Sequence, residues 1–112
     1  MDQDTAINAA IYFGQRLARQ AVRVSRLILF GSHARGQATA DSDVDLLVVS
    51  EDFRGRDAFE RAQLAGNAER ETIRKFQVPL DVILMTPEEF ENEGSLLAQA
   101  ARGGKALMGG AA

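Results

Sequence analysis

Short apolar runs at residues 27–30, 46–49 and 78–85 punctuate the chain, each bounded by glycine, proline or charged residues. Their length and aliphatic content predict strands over about residues 26–30, 43–50 and 78–85. In the second, Val44, Leu46 and Val48 alternate with Leu47 and Val49, so both faces are apolar beyond an acidic start. Such a strand belongs inside a sheet covered on two sides. In the third, Val78, Leu80, Val82 and Leu84 share one face, and Asp81, Ile83 and Met85 share the other.

Helical spacing fills the intervals. Ile7, Ala10, Ile11, Gly14, Leu17, Ala18 and Ala21 form a stripe that predicts a first helix capped by Asp4 or Thr5. Gly14 within it costs roughly 1 kcal/mol against Ala and so marks a close backbone approach. Arg16, Arg19 and Arg23 fall on other faces, where a solvated surface is expected. Ser32 can cap a turn of helix through His33, Ala34 and Arg35 that Gly36 stops. Residues 51–55 read as a loop, and residues 57–75 as a helix. Its apolar face follows either Ala58, Ala62 and Ala65 or Phe59, Ala62, Ile73 and Phe76; Gly66 interrupts both lines and allows a break. Thr86-Pro87-Glu88-Glu89 is a helix start, with Thr86 as cap, Pro87 in the first turn, Glu89 closing a capping box and Met85 and Phe90 placed for a hydrophobic staple. Glu88, Glu89, Glu91 and Glu93 spread around that helix as a solvated acidic run. Gly94-Ser95 restarts a last helix, with Leu96, Leu97, Ala100 and Ala101 as its apolar side and Gly103-Gly104 as its stop, before a short edge strand at 105–108. The expected fold is α/β (α+β), in the order α-β-α-β-α-β-α with a small mixed sheet flanked by helices. A single domain over residues 1–108 and a disordered tail at 109–112 complete this reading.

Candidate chemistry sits between the first two strands. On an extended segment, alternation sends the carboxylates of Asp43 and Asp45 to one face, with Val44 on the other. Two converging carboxylates repel unless a positive group lies between them, and a hard divalent cation prefers oxygen ligands. Upstream, Gly31 permits close backbone approach, and Ser32 offers a hydroxyl and a peptide N–H to a phosphate. Phosphate together with metal indicates nucleotide chemistry. Ser32 could equally cap its helix without a ligand. Arg35 can reach the phosphates or pair with Asp41 to hold the loop. The run from Asp41 to Asp45 also resembles the start of an EF-hand loop, but such a loop needs Gly where Leu46 stands and Glu where Asp52 stands, which rules it out. Asp81 is the lone charge in an apolar strand, and a buried unpaired carboxylate costs several kcal/mol, so it needs a metal, an arginine or solvent.

Gly31-Ser32, ten intervening residues, Asp43-Val44-Asp45 and the later Asp81, set in GSHARG, SDVDLLVV and VPLDVILM, resemble the signature of the DNA polymerase beta-like nucleotidyltransferase superfamily, and within it the minimal nucleotidyltransferase branch. The likeness covers about residues 27–85. It implies that Asp43, Asp45 and Asp81 are the catalytic, metal-binding acids, holding two Mg²⁺ ions on ATP, and that Gly31 and Ser32, with Arg35 in a lesser role, hold its phosphates. His33 stands at a position that looks variable in the family pattern and is given no general-base role. Minimal members of this size resemble the antitoxins of toxin–antitoxin pairs, which add AMP to a tyrosine of a HEPN-domain toxin encoded beside them. Other outcomes are a nucleotide-binding antitoxin or regulatory module that neutralises its partner by contact without turnover, and an enzyme acting on a small molecule such as an aminoglycoside.

Composition narrows the partners. The 112 residues leave room for one modest core and none for a separate substrate domain, so the acceptor brings much of its own recognition surface. There is no cysteine and one histidine, which excludes disulfides, thiolate sites and multi-histidine zinc sites. A net charge of −3 argues against broad nucleic-acid binding. With no membrane-length apolar stretch and no signal-peptide pattern, a cytoplasmic location is expected.

Overall fold

In the computed structural model, residues 2–39 and 41–109 are described. The chain runs α1 (Gln3–Arg19), β1 (Arg26–Phe30), α2 (Gly31–Ala34), β2 (Val44–Val49), a 3-10 turn (Glu51–Phe53), α3 (Ala58–Phe76), β3 (Leu80–Met85), α4 (Pro87–Glu91), α5 (Leu96–Arg102) and β4 (Lys105–Gly109). The strands form one mixed sheet in the order β3-β2-β1-β4. β1 is antiparallel to β2 and β4, and β2 is parallel to β3. The predicted α/β fold with a small mixed sheet is therefore the fold found. The last strand takes in Gly109, while the remainder of the expected tail, residues 110–112, lies outside the described residues.

Period-two alternation divides the core into two layers. Leu27, Leu29, Val44, Leu46 and Val48 face α1 and α3, with Phe13, Leu17, Ala65 and Ala68 packed among them. Ile28, Leu47, Val49 and Met85 face the other way, against Phe90 of α4 and Ala98 and Ala101 of α5. The sheet is thus covered on both sides, as the apolar character of β2 requires.

Several local expectations shift. The α1 cap is Asp2, whose carboxylate accepts the Thr5 N–H at 2.8 Å, rather than Asp4 or Thr5. A carboxylate three residues before a free N–H satisfies one of the orphan donors of the first turn, and Asp2 is the residue so placed. The buried face of α1 is Ala6, Ala9, Ala10, Phe13, Gly14 and Leu17, whereas Ala18 and Ala21 are exposed, because the helix ends at Arg19 and Ala21 turns out of it at φ +65°. Gly14 does mark a close approach: a Cβ there would lie 2.6 Å from Met108 Sδ and 3.0 Å from Leu27 Cδ2.

α3 runs unbroken past Gly66, with Asp57 and Glu60 closing a capping box at its start. Its inner line is Leu64, Ala65, Ala68, Thr72 and Phe76, which leaves Phe59 71% and Ile73 40% exposed. Of the two apolar lines expected from the sequence only Ala65 and Phe76 lie on it, because small residues and a back-bonded threonine, Thr72 Oγ1 to Ala68 O at 2.7 Å, make much of the contact. Residues 51–53 form a 3-10 turn capped by Ser50 in place of a plain loop. In α5 the buried positions are Ala98 and Ala101; Leu96 and Leu97 point outward. A seven-residue helix lying on a small sheet buries only a narrow stripe, and the alanines fit it. The start of α4 is as expected, with Thr86 and Glu89 bonding reciprocally and Met85 beside Phe90 in one cluster. Glu88 and Glu89 are also partnered, with Arg54 at 2.5 Å and Arg61 at 2.6 Å.

The turn from α5 to β4 depends on Gly104, where a Cβ would collide with the Leu29 carbonyl oxygen and sit 2.9 Å from Phe30 Cβ. Backbone cannot yield as a side-chain tip can. Gly104→Ala should therefore destabilise the domain by about 1–3 kcal/mol in urea titration, the cost of forced overpacking, with an unchanged midpoint showing that β4 can shift without loss.

Candidate functional site

β1 delivers the chain to one end of the sheet, where Gly31 turns it at φ +72° into the single turn of α2. The N-cap of that turn is Phe30, with no side-chain cap, so Ser32 is not the cap expected from the sequence; the helix starts one residue before it. Positive φ at Gly31 lets helical backbone follow the strand directly, leaving no extended residue for Ser32 to occupy. The turn closes through Gly36 at φ +69°, with Gln37 N–H donating to Ser32 O at 2.9 Å.

Two contacts fix α2 and the loop after it. The amide of Gln3 donates to the carbonyls of His33 at 2.9 Å and Ala34 at 3.4 Å. His33, 1% exposed, sets Nε2 3.4 Å from Ser42 O, and the Thr39 N–H donates to Ser42 Oγ at 2.9 Å. His33 is thus a packed element of the loop. Arg35 is exposed and gives Nε to Gln37 Oε1 at 3.2 Å, so the alternative pairing with Asp41 is not made. A partner two residues away is nearer along the loop than one six residues away.

Asp43 is exposed and lies one residue before β2; Asp45 is half-buried within it. In the parallel register Asp45 stands opposite Asp81 of β3, and in the antiparallel register it stands opposite Phe30, the residue before Gly31. A Cβ on Gly31 would fall into the Asp45 carboxylate, with Cγ at 3.0 Å. The glycine corner, Asp45 and Asp81 therefore occupy one place, although their positions in the chain are far apart.

Electrostatics report the same crowding. Burial pushes the Asp45 carboxyl above its ordinary range; the like charges of Asp81 and Asp43 push it further, while His33 opposes them. Glu69 of α3 is also raised, by burial first, with Arg70 opposing and Asp81 adding to the rise. None of the ion pairs among the described residues includes Asp43, Asp45 or Asp81. The arginine-bridged alternative for Asp81 is accordingly not the arrangement found; Asp81 is exposed on an edge strand. Among the described residues, no three acidic or histidine side chains already stand as a closed metal cage. What is present is an oxygen-only donor set with unneutralised like charge, which fits a hard divalent cation. The sequence passed over Glu69, since one glutamate in a charge-rich helix carries no signal that it turns toward the acids.

Comparison with known proteins agrees with this layout. The family described as nucleotidyltransferase domain matches residues 15–103, which takes in every residue of the site. A Methanocaldococcus jannaschii protein provisionally named protein adenylyltransferase MJ1305 is 36% identical over 63 residues, 56% of this chain and 42% of that protein. The chain spans less than half the length of the curated relatives it matches. A solved structure provisionally described as a minimal nucleotidyltransferase superposes with TM-score 0.57 at 27% identity, over 91% of each chain. A chain of a toxin–antitoxin structure with AMP-PNP shares the fold at TM-score 0.62 and 21% identity, over 88% of this chain and 73% of that one. Among the described residues no helix is long and apolar enough to cross a membrane. With a family match that spans most of its length and a sheet that superposes on a minimal member, the chain belongs to the nucleotidyltransferase domain family.

Proposed function

We propose that this chain transfers AMP from ATP to a hydroxyl of a protein partner, a tyrosine of a HEPN-domain toxin encoded beside it, and so acts as that toxin's antitoxin. The observation that carries the proposal is the register pairing of Asp45 with Asp81 beside the Gly31 corner. The provisional adenylyltransferase name of the archaeal relative, and the toxin–antitoxin structure with AMP-PNP, support the donor and the partner.

Bound Mg²⁺ would supply Lewis-acid stabilisation of the charge on the attacking and leaving oxygens. Asp43 and Asp45 would hold it on the donor side, and Asp81 on the acceptor side. Asp45, raised by burial and by the like charges of Asp81 and Asp43, is where a cation would relieve the repulsion. Gly31 lacks the Cβ that would run into Asp45 and so lets the corner close on that acid, Ser32 would offer N–H and hydroxyl to the β and γ phosphates, and exposed Arg35 would reach them. Asp81 accepts the hydroxyl proton as that oxygen bonds to the α-phosphorus. The bond from the α-phosphorus to the α–β bridging oxygen breaks, and pyrophosphate departs with its electron pair.

The test is incubation of the purified chain with Mg²⁺, α-labelled ATP and the protein encoded next to it. A mass gain of one AMP on a tyrosine of that neighbour is expected, with labelling lost in Asp43→Asn. Neutralisation of the neighbour without any label would instead assign the chain as a contact-acting antitoxin.

A further inference from the structure

The strand that carries Asp81 is also an edge of the sheet, and its outer side is unevenly protected. β3 pairs with β2 alone. Toward β2, the Val44 N–H donates to Pro79 O at 2.9 Å and the Ser50 N–H to Met85 O at 3.0 Å. Strand alternation then turns the backbone groups of Leu80, Val82 and Leu84 outward. Arg61 Nη1 closes one end by donating to Leu84 O at 3.2 Å, while Pro79 turns its carbonyl, and with it the place of its missing N–H, toward β2 and leaves the other end open. Before the Arg61 contact, the outward N–H and C=O of Leu80 and Val82 have no partner among the described hydrogen bonds. Edges are ordinarily blunted by charge, proline or a covering element, and here the blunting at Leu84 stops short of Asp81.

A cleft of about 390 Å³ runs along this edge between β3 and α3, floored by Ala58, Ala62, Val82 and Leu84. It does not include Asp43, Asp45 or Asp81. Exposed Phe59 extends its apolar wall toward Arg70. Arg56 lines the cleft together with Asp57 and the Arg61–Glu89 pair, Arg70 lies beyond Phe59, and neither Arg56 nor Arg70 joins an ion pair among the described residues, in a chain whose net charge is −3.

We propose that the outer edge of β3 docks the acceptor as an added strand: an extended polypeptide segment, apolar on one face and carrying carboxylates toward its ends, that sets its hydroxyl residue beside Asp81. The proposal rests on the transferase reading above and names how the acceptor is held. Side chains in register on neighbouring strands lie about 4.5–5.5 Å apart at Cβ, so a residue paired near Asp81 brings its hydroxyl to that carboxylate without any further binding domain. Its neighbours, pointing to the opposite face, enter the cleft over Val82 and Ala62. Carboxylates beyond them meet Arg56 and Arg70. Main-chain pairing supplies affinity and alternate side chains supply selection.

The probe is a short synthetic peptide with a central tyrosine, valines on either side and glutamates at its ends, N-methylated at alternate amides in one phase or in the other. Binding is followed by fluorescence anisotropy with Mg²⁺ and a non-hydrolysable ATP analogue, and AMP transfer is measured separately with labelled ATP. Methylation in the phase that faces β3 should weaken binding about tenfold or more, and the other phase should leave it nearly unchanged. The amides of Leu80 and Val82 should gain protection from hydrogen exchange on binding. No binding, equal loss in both phases, or no protection at Leu80 and Val82 overturns the docking edge. Phase-dependent binding without AMP transfer upholds the edge and overturns the transfer reading; AMP transfer indifferent to phase does the reverse.

Discussion

Asp45→Asn should abolish AMP transfer while making the metal-free domain more stable. The activity loss is expected at about a thousandfold or more, because several kcal/mol of transition-state charge stabilisation leave with the carboxylate. The gain in stability has the opposite origin. Asp45 is raised by burial and by Asp81 and Asp43, so its charge is disfavoured in the folded state. A group raised on folding contributes stability that is fully present below its unfolded pKa and is lost as pH rises through its folded value. The substitution removes that titration. Melting temperatures of wild type and Asp45→Asn should therefore coincide in acid, diverge once pH exceeds the ordinary carboxylate range, and stay apart by a few degrees above the raised value. Mg²⁺ at neutral pH should close the gap by stabilising the wild type alone. Thermal melts over pH, with and without Mg²⁺, check this; a variant that melts below wild type at neutral pH without metal would show Asp45 to be a structural acid.

The same residues show what a sequence does and does not reveal. Strand β2 was legible because its apolar alternation admits one environment, and Asp81 stood out because nothing else charged shares its strand. The α4 start was legible because Thr86, Pro87 and Glu89 act on one another within a single turn. The direct opposition of Asp45 and Asp81 was not, since register between β2 and β3 is set by how α3 packs across the sheet between them. Packing likewise overrode pattern in the helices. Phe59, Leu96 and Leu97 looked like core by residue type and are exposed, while Ala65 and Ala101 are buried as expected and are joined by Ala68 and Ala98. A small sheet brings helices close, and small side chains permit that approach. Ser32 failed as a cap for a different reason: the positive φ of Gly31 moved the helix start, and no propensity of serine could report it.

Gly31→Ala is the second substitution from which a large effect is expected, and it tests whether the corner and the acid form one device. An alanine at φ +72° is strained by about 1–2 kcal/mol before any contact is considered. Its Cβ then meets Asp45, with Cγ only 3.0 Å away, and no backbone movement of the strand ends relieves this without disturbing the Phe30–Asp45 pair. The carboxylate must turn off Gly31, which moves the acid from its place opposite Asp81. Total destabilisation of about 2–4 kcal/mol is expected, with AMP transfer down at least about a hundredfold from misplacement alone. A double-mutant cycle separates the two costs. In an Asp45→Ala background the contact is gone and only the backbone strain remains, so Gly31→Ala should then cost about 1–2 kcal/mol, leaving a coupling of about 1–2 kcal/mol between the sites. Urea titration of the four proteins measures it. Additive effects would mean that the glycine serves the turn alone; a coupled pair means that the room left by its missing side chain is where the acid is held.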